Sequence, residues 1–325
     1  MSRQQPRDGA AASAPGPSAL RQRRGSTAAE TVAAAARQIE AKIETALTVL
    51  WDELPAWRRD NQYITSGYRH TSNSFARSFA SLAYLHNESV NIWTHLLGAV
   101  AFAGAALLLH SLLAPRYPSA SDADLRAFAC FFAGAFLCLG MSATYHTLCN
   151  HSPGVARVGN KLDYTGIVFL IMGSYVPALY YGLKCHGSLL AVYTSAILAL
   201  GCACLTVSWF DHFRTPAWRP YRALMFVGLG LSGVVPIFHG MSLYGYSQLN
   251  SMMGLNWIVL EGLLYILGAI LYAARWPERQ FPGTVDIFGS SHQIFHVCVV
   301  LAAASHLYGI TTAFDFHHSG VGVQC

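Results

Sequence analysis

Seven stretches of this 325-residue chain are long and apolar enough to cross a bilayer, and nothing else in the sequence constrains the fold as much. They run at about 89–113, 125–148, 163–183, 189–210, 222–240, 253–274 and 290–312. Hydrocarbon satisfies no backbone N–H or C=O, so each stretch must satisfy its own as a helix. Composition agrees. Hydrophobic residues make up 53% of the chain and charged residues 11%, where soluble domains carry about 25% charge. The expectation is an all-α membrane protein, a seven-transmembrane helix bundle whose short linkers make consecutive helices antiparallel neighbours. Pro177 and Pro236 fall inside the third and fifth stretches, where each removes a ladder hydrogen bond and kinks its helix.

The flanks read differently. Residues 1–26 are rich in Ala, Ser, Pro, Gly, Gln and Arg and form an arm with nothing to bury, expected to be disordered. Within it, Arg23-Arg24-Gly25-Ser26 fits a basophilic kinase, a pattern common by chance. Residues 27–88 are expected to be a cytoplasmic amphipathic helix and a juxtamembrane segment. Thr27-x-x-Glu30 is a capping box, and Val32, Ala36, Ile39, Ile43, Leu47, Leu50 and Leu54 form one apolar stripe up to Pro55. That stripe suits the membrane surface, the underside of the bundle or a coiled coil with a partner. Residues 313–325 are expected to be a short extracytoplasmic tail.

Eight cysteines are scattered with no CxxC pair, so neither a disulfide framework nor a thiolate metal site is expected. The net charge of +5 comes largely from the first 80 residues and carries no nucleic-acid motif. It bears on orientation instead. Arg58, Arg59, Arg69, Arg77, Arg157, Lys161, Arg214, Arg219, Arg222, Arg275 and Arg279 fall on one side. Only Arg116, Arg126 and Lys184 fall on the other. Positive loops stay inside, so the N-terminus is expected to be cytoplasmic and the C-terminus extracytoplasmic.

That topology assembles a candidate site. His292 and His296, four apart at the start of the seventh span, point the same way and lie near its cytoplasmic end. The second span ends inward at Ser142 and His146, one turn apart, and the third begins outward at Asp163. Three neutral imidazoles around Zn²⁺ leave a fourth position for water, and Asp163 could hold that water or orient a ligand histidine. Plain alternatives exist: Asp163 as a helix cap, His146 as an interfacial histidine. An ionisable cluster at one membrane depth is nevertheless a functional-site hypothesis by default.

These residues carry a resemblance. Glu53-Leu54-Pro55, Asn61-x-x-Ile64-x-x-Gly67-Tyr68-Arg69, His86-Asn87-Glu88-x-x-Asn91-Ile92-Trp93-Thr94-His95, Ser142-x-x-x-His146, Lys161-Leu162-Asp163-Tyr164 and Ser291-His292-Gln293-Ile294-Phe295-His296 resemble the progestin and adipoQ receptor family. The match is nearest to adiponectin receptors and haemolysin III-type proteins and covers about residues 50 to 312. The resemblance implies seven helices, an inside N-terminus and a zinc ion near the cytoplasmic leaflet held by His146, His292 and His296. It also implies Asp163 at the zinc-bound water and Ser142 behind it. The family is similar to alkaline ceramidases, while some members are described as receptors or as regulators of sterol, lipid and zinc homeostasis.

Two functions remain in view. One is a zinc-dependent hydrolase of lipid amides such as ceramide, with Asp163 taking the water's proton and Ser142 hydrogen-bonding the oxyanion. The other is a receptor in which zinc is structural. A channel or transporter is disfavoured because no inverted repeat or discontinuous helix pair is visible. Membrane lipids of ceramide or sterol type are the expected partners, with an extracellular protein ligand and homo-oligomer formation as further options. The membrane is the plasma membrane or the endoplasmic reticulum. Glu88, Asn91 and His95 read as caps that tie the first span to its neighbours, with a direct metal role as the minor alternative; Asp211-His212 reads as a solvated pair, and His317-His318 lies in the tail, where weak surface metal binding has no support. His239 and His306 fall too far out to reach the ion. Glu261, buried a third of the way in from outside, requires a partner that the sequence does not name.

Overall fold

Every apolar segment becomes a helix of the length that the hydrocarbon core demands. The structure, a computed structural model, describes residues 47–116 and 119–319 together with residues 32, 33 and 35. Its spans are Ser89–Arg116, Asp122–Leu148, Pro153–Gly182, Gly187–Ser208, a fifth in two pieces (Arg219–Leu231 and Val234–Met253), Leu255–Ala274 and Ser291–His318. Consecutive spans pack side by side and the seventh closes against the first. About half of the central stretch of the second, third and seventh spans is buried in protein (56%, 56% and 50%), against 28% or less in the other four. The three helices that carry the candidate site are therefore the middle of the bundle.

Small residues bring the second and third spans together. A Cβ on Gly166 would lie 2.7 Å from Cys138 Cα, and one on Gly173 would lie 2.5 Å from the Cys130 carbonyl. Without a hydrophobic drive between helices in lipid, such close approach is what holds them. Phe131, Ala135, Leu139, Ala303 and Phe314 fill the core beside this seam.

Three boundaries differ from the expectation. The third helix begins at Pro153 instead of 163, so only Cys149 to Ser152 separate it from the second. Proline presets the φ of a first helical turn, and the basic turn around Arg157 and Lys161 disguises the start as loop. The fifth span breaks at Ser232–Gly233, because Pro236 has no N–H for the Ser232 carbonyl. There the Tyr175 hydroxyl lies 2.8 Å from the Gly230 carbonyl. Beyond 240 the helix continues to Met253 with a bend at Gly245, whose φ is +73°. The seventh helix runs past 312 to His318, shortening the tail.

The N-terminal expectations fall mostly outside the described residues: all of the arm at 1–26, and the amphipathic helix except residues 32, 33 and 35, which are helical, and 47 onward. From 48 to 54 the helix expectation is wrong. Thr48–Val49 is a strand paired antiparallel with Tyr68–Arg69, Thr48 opposite Arg69 and Val49 opposite Tyr68. A 3-10 turn follows at Trp51–Glu53, where Glu53 accepts from the Leu50 N–H at 2.8 Å. Leu54 buries itself against Ile64 and Tyr68, while Leu50 is exposed. The β-branched pair and the early Pro55 override the helical stripe. The cysteine reading is also corrected, since Cys185, in the turn between the third and fourth spans, is disulfide-bonded.

Candidate metal centre

Helical spacing stacks His292 over His296, and the packing of the second span on the seventh brings His146 to both. One ring nitrogen from each of the three lies within 4.8 Å of the others. His146–His292, His146–His296 and His292–His296 ring centroids are 5.0, 4.7 and 4.8 Å apart. His146 and His296 are buried, His292 partly so.

The outer nitrogens are already committed. His146 Nδ1 lies 2.7 Å from Glu88 Oε2, which also accepts from Asn91 Nδ2 at 2.6 Å. His296 Nδ1 lies 3.0 Å from the Asn91 carbonyl. Acceptors at both Nδ1 positions assign the proton there and leave Nε2 with its lone pair. His146 Nε2 is buried without a protein partner, an orphan that requires an explanation. A cation supplies one: three imidazole nitrogens, one backed by a carboxylate, suit a first-row divalent metal. The cluster can hold a metal ion.

Further groups fix the frame. Arg69 is fully buried; its guanidinium donates to the carbonyls of His146 and Thr147 and to Ser81 Oγ, clamping the end of the second span from behind. Glu278 accepts from the Ser291 N–H at 2.7 Å and from the Ser291 hydroxyl, holding the start of the seventh span. Tyr272 sets its ring edge against His292 at 5.1 Å. Arg219 lies over the other side of Tyr272 at 4.3 Å and pairs with Asp60 at 2.7 Å. His95 stacks on His296 at 3.7 Å, nearly parallel.

Asp163 and Ser142 line the same cavity as His292 and His296, a space of about 410 Å³ between the third, fifth, sixth and seventh spans. Asp163 is ten residues inside its helix, which removes the capping alternative. Ser142 is a neighbour of that carboxylate. Four of the five expected residues thus line one cavity, and His146 joins them through the histidine cluster.

The remaining candidates resolve individually. Asp211 pairs with Lys161 at 3.1 Å. His239 meets the Tyr193 hydroxyl at 2.8 Å. The missing partner of Glu261 is His306, at 2.7 Å. His317 and His318 belong to the seventh helix and not to a tail. His318 lies 2.8 Å from Ser119 Oγ and 3.3 Å from Asp124, and His317 is 3.1 Å from the Met252 carbonyl.

Residues 83–307 match the model of the Haemolysin-III related family. The chain belongs to that family. It is 45% identical to "ADIPOR-like receptor IZH2" of Saccharomyces cerevisiae over 82% of this chain and 84% of the relative. It is 47% identical to "Adiponectin receptor protein" of Drosophila melanogaster over 80% of this chain and 58% of the relative. "Heptahelical transmembrane protein 4" of Arabidopsis thaliana is 32% identical over 79% of this chain and 86% of the relative. The chain is therefore an adiponectin-receptor-like, integral multi-pass membrane protein.

Sequence reasoning missed Glu88 and Asn91, which it took as caps for the first span. The signal was there: Glu88, Asn91 and His95 share one face of a helix at spacings of three and four. Arg69 is visible in the sequence as a basic residue and a motif position without its contacts, and Tyr272 carries no sequence signal.

Proposed function

We propose that this protein is a zinc-dependent hydrolase of lipid amides of the ceramide type. The observation carrying the proposal is the meeting of three histidine nitrogens within 4.8 Å at one end of a largely apolar cavity that Asp163 also lines. A zinc ion held by His146, His292 and His296 would lower the pKa of a water to about 7 and polarise a carbonyl. The chain's own groups supply the proton chemistry. Asp163 takes a proton from the attacking water as its oxygen bonds to the amide carbon. It returns the proton to nitrogen as the C–N bond breaks, giving a fatty acid and an amine. Ser142, on the same cavity wall as Asp163, hydrogen-bonds the developing oxyanion. Apolar walls let the acyl chain remain in a lipid-like environment.

Orientation belongs to the same proposal: N-terminus in the cytoplasm, C-terminus outside, the site at the inner leaflet. The basic loops support it. So does the disulfide-bonded Cys185, which lies on the other face, where an oxidising compartment permits it.

The competing role, a purely structural metal in a receptor, is separated by two variants. For a hydrolase, Asp163→Ala keeps metal content and melting temperature and abolishes release of fatty acid from ceramide, whereas His296→Ala loses both metal and activity. If zinc-loaded wild type releases no fatty acid, or Asp163→Ala turns over normally, the hydrolase reading is wrong.

A further inference from the structure

The cavity has a second polar station that the metal chemistry does not use. Glu261 and His306, from the sixth and seventh spans, pair through Oε2 and Nδ1 at 2.7 Å, and both line the cavity. His306 is 1% exposed and Glu261 8%. An ionisable pair at this depth is expensive, and apolar side chains of similar size would hold two helices together without that desolvation penalty. On the same cavity wall three polar atoms are buried without a protein partner: Nε2 of His306 itself, Tyr265 OH and Ser174 Oγ. Hydroxyls left bare in an apolar cavity are uncommon.

Their depth is consistent along three helices. His306 is ten residues beyond His296, Ser174 eleven beyond Asp163, and Glu261 eleven before Tyr272, the neighbour of His292. At 1.5 Å per residue each helix places its member about 15 Å from the histidine cluster. Glu261 accepting at Nδ1 leaves His306 Nε2 as an acceptor, with Tyr265 and Ser174 able to donate or accept. This set complements one alcohol.

We propose that this station recognises a hydroxyl group near the middle of a long acyl chain whose polar head lies at the histidine cluster. The natural ligands would then be lipids with hydroxylated acyl chains. The placement of the head rests on the proposed function, but hydroxyl recognition is read by binding and requires no turnover.

The test compares ricinoleate with oleate, eighteen-carbon probes that differ by one mid-chain hydroxyl, bound to the zinc-loaded full-length protein in detergent. Wild type should bind ricinoleate about five- to tenfold tighter, the range of one or two net hydrogen bonds. Tyr265→Phe and Ser174→Ala remove hydroxyls that have no protein partner, so melting temperature and metal content should hold. Together they should bring the preference below about twofold. Glu261→Gln, which keeps an acceptor toward His306 and so the same tautomer, should leave the preference near that of wild type. Equal affinities in wild type, or a preference that survives the double variant, would overturn the proposal. If oleate and ricinoleate both bind with the expected ratio while ceramide is not hydrolysed, the station stands and the hydrolase reading falls.

Discussion

At the scale of single residues, what matters is the second partner of each histidine. The clustered histidines are legible because helical spacing and membrane depth are properties of sequence: four apart puts His292 and His296 on one face, and counting spans puts His146 at their level. Glu88 was not legible as an outer partner, because a carboxylate one residue before a helix start has an ordinary use as an N-terminal charge. Only packing reveals that its oxygen lies 2.7 Å from His146 Nδ1 instead. Such a carboxylate fixes the tautomer and raises the basicity of the ligand nitrogen. Glu88→Gln is therefore expected to weaken metal affinity by about 10- to 100-fold, read by competition with a metal chelator of known affinity. Melting temperature of the metal-saturated variant should remain close to wild type, since an amide still accepts from Asn91 and His146. An unchanged affinity would make Glu88 a cap after all.

At the scale of elements, hydropathy finds helices well and finds their ends poorly. Seven spans emerge from composition alone, yet the third starts ten residues early, because the polar turn from Pro153 to Leu162 projects beyond the apolar stretch and offers no hydropathy signal. The break at Ser232–Gly233 was half legible: Pro236 announces a kink, but the seat for it depends on Tyr175 from another helix. The seam between the second and third spans follows the same logic. Glycines in an apolar run are visible, while their partners are not. Gly166 faces Cys138 on the helix that carries Ser142 and His146. Gly166→Leu should force the two helices apart at a cost of roughly 1–3 kcal/mol, the usual range for overpacking. Because Asp163 lies one turn away, the same variant should lower metal occupancy, whereas Gly104→Leu, where an added Cβ meets nothing within 4 Å, should leave both melting and metal content unchanged. Equal behaviour of the two variants would show that the seam does not hold the site.

At the scale of the whole molecule, one asymmetry organises the rest: charge on one face, apolar bulk between, and a histidine cluster toward the charged side. The juxtamembrane layer does more than orient the chain. Its Arg69 reaches the back of the second span, its Thr65 and Ser66 bond Asp286 in the loop before the seventh, and its Asp60 pairs with Arg219. A cap built this way belongs with the metal centre, so the compartment that faces the cap also faces the site. Residue identity cannot show how a folded cap closes a bundle, because its contacts join positions 77 to 221 residues apart. The proposed orientation, by contrast, rests on the count of basic residues and is open to a direct test. Gly154 lies on the basic side, exposed, with room for an added side chain, and Ala120 lies exposed on the opposite side. In intact cells, a membrane-impermeant thiol reagent should label Ala120→Cys at the plasma membrane and spare Gly154→Cys until the membrane is permeabilised. For protein resident in an internal membrane, selective permeabilisation of the plasma membrane should expose Gly154→Cys first. The reverse order would place the metal centre on the outer face, and with it the substrate supply, because a lipid reaching the cavity would then come from the outer leaflet.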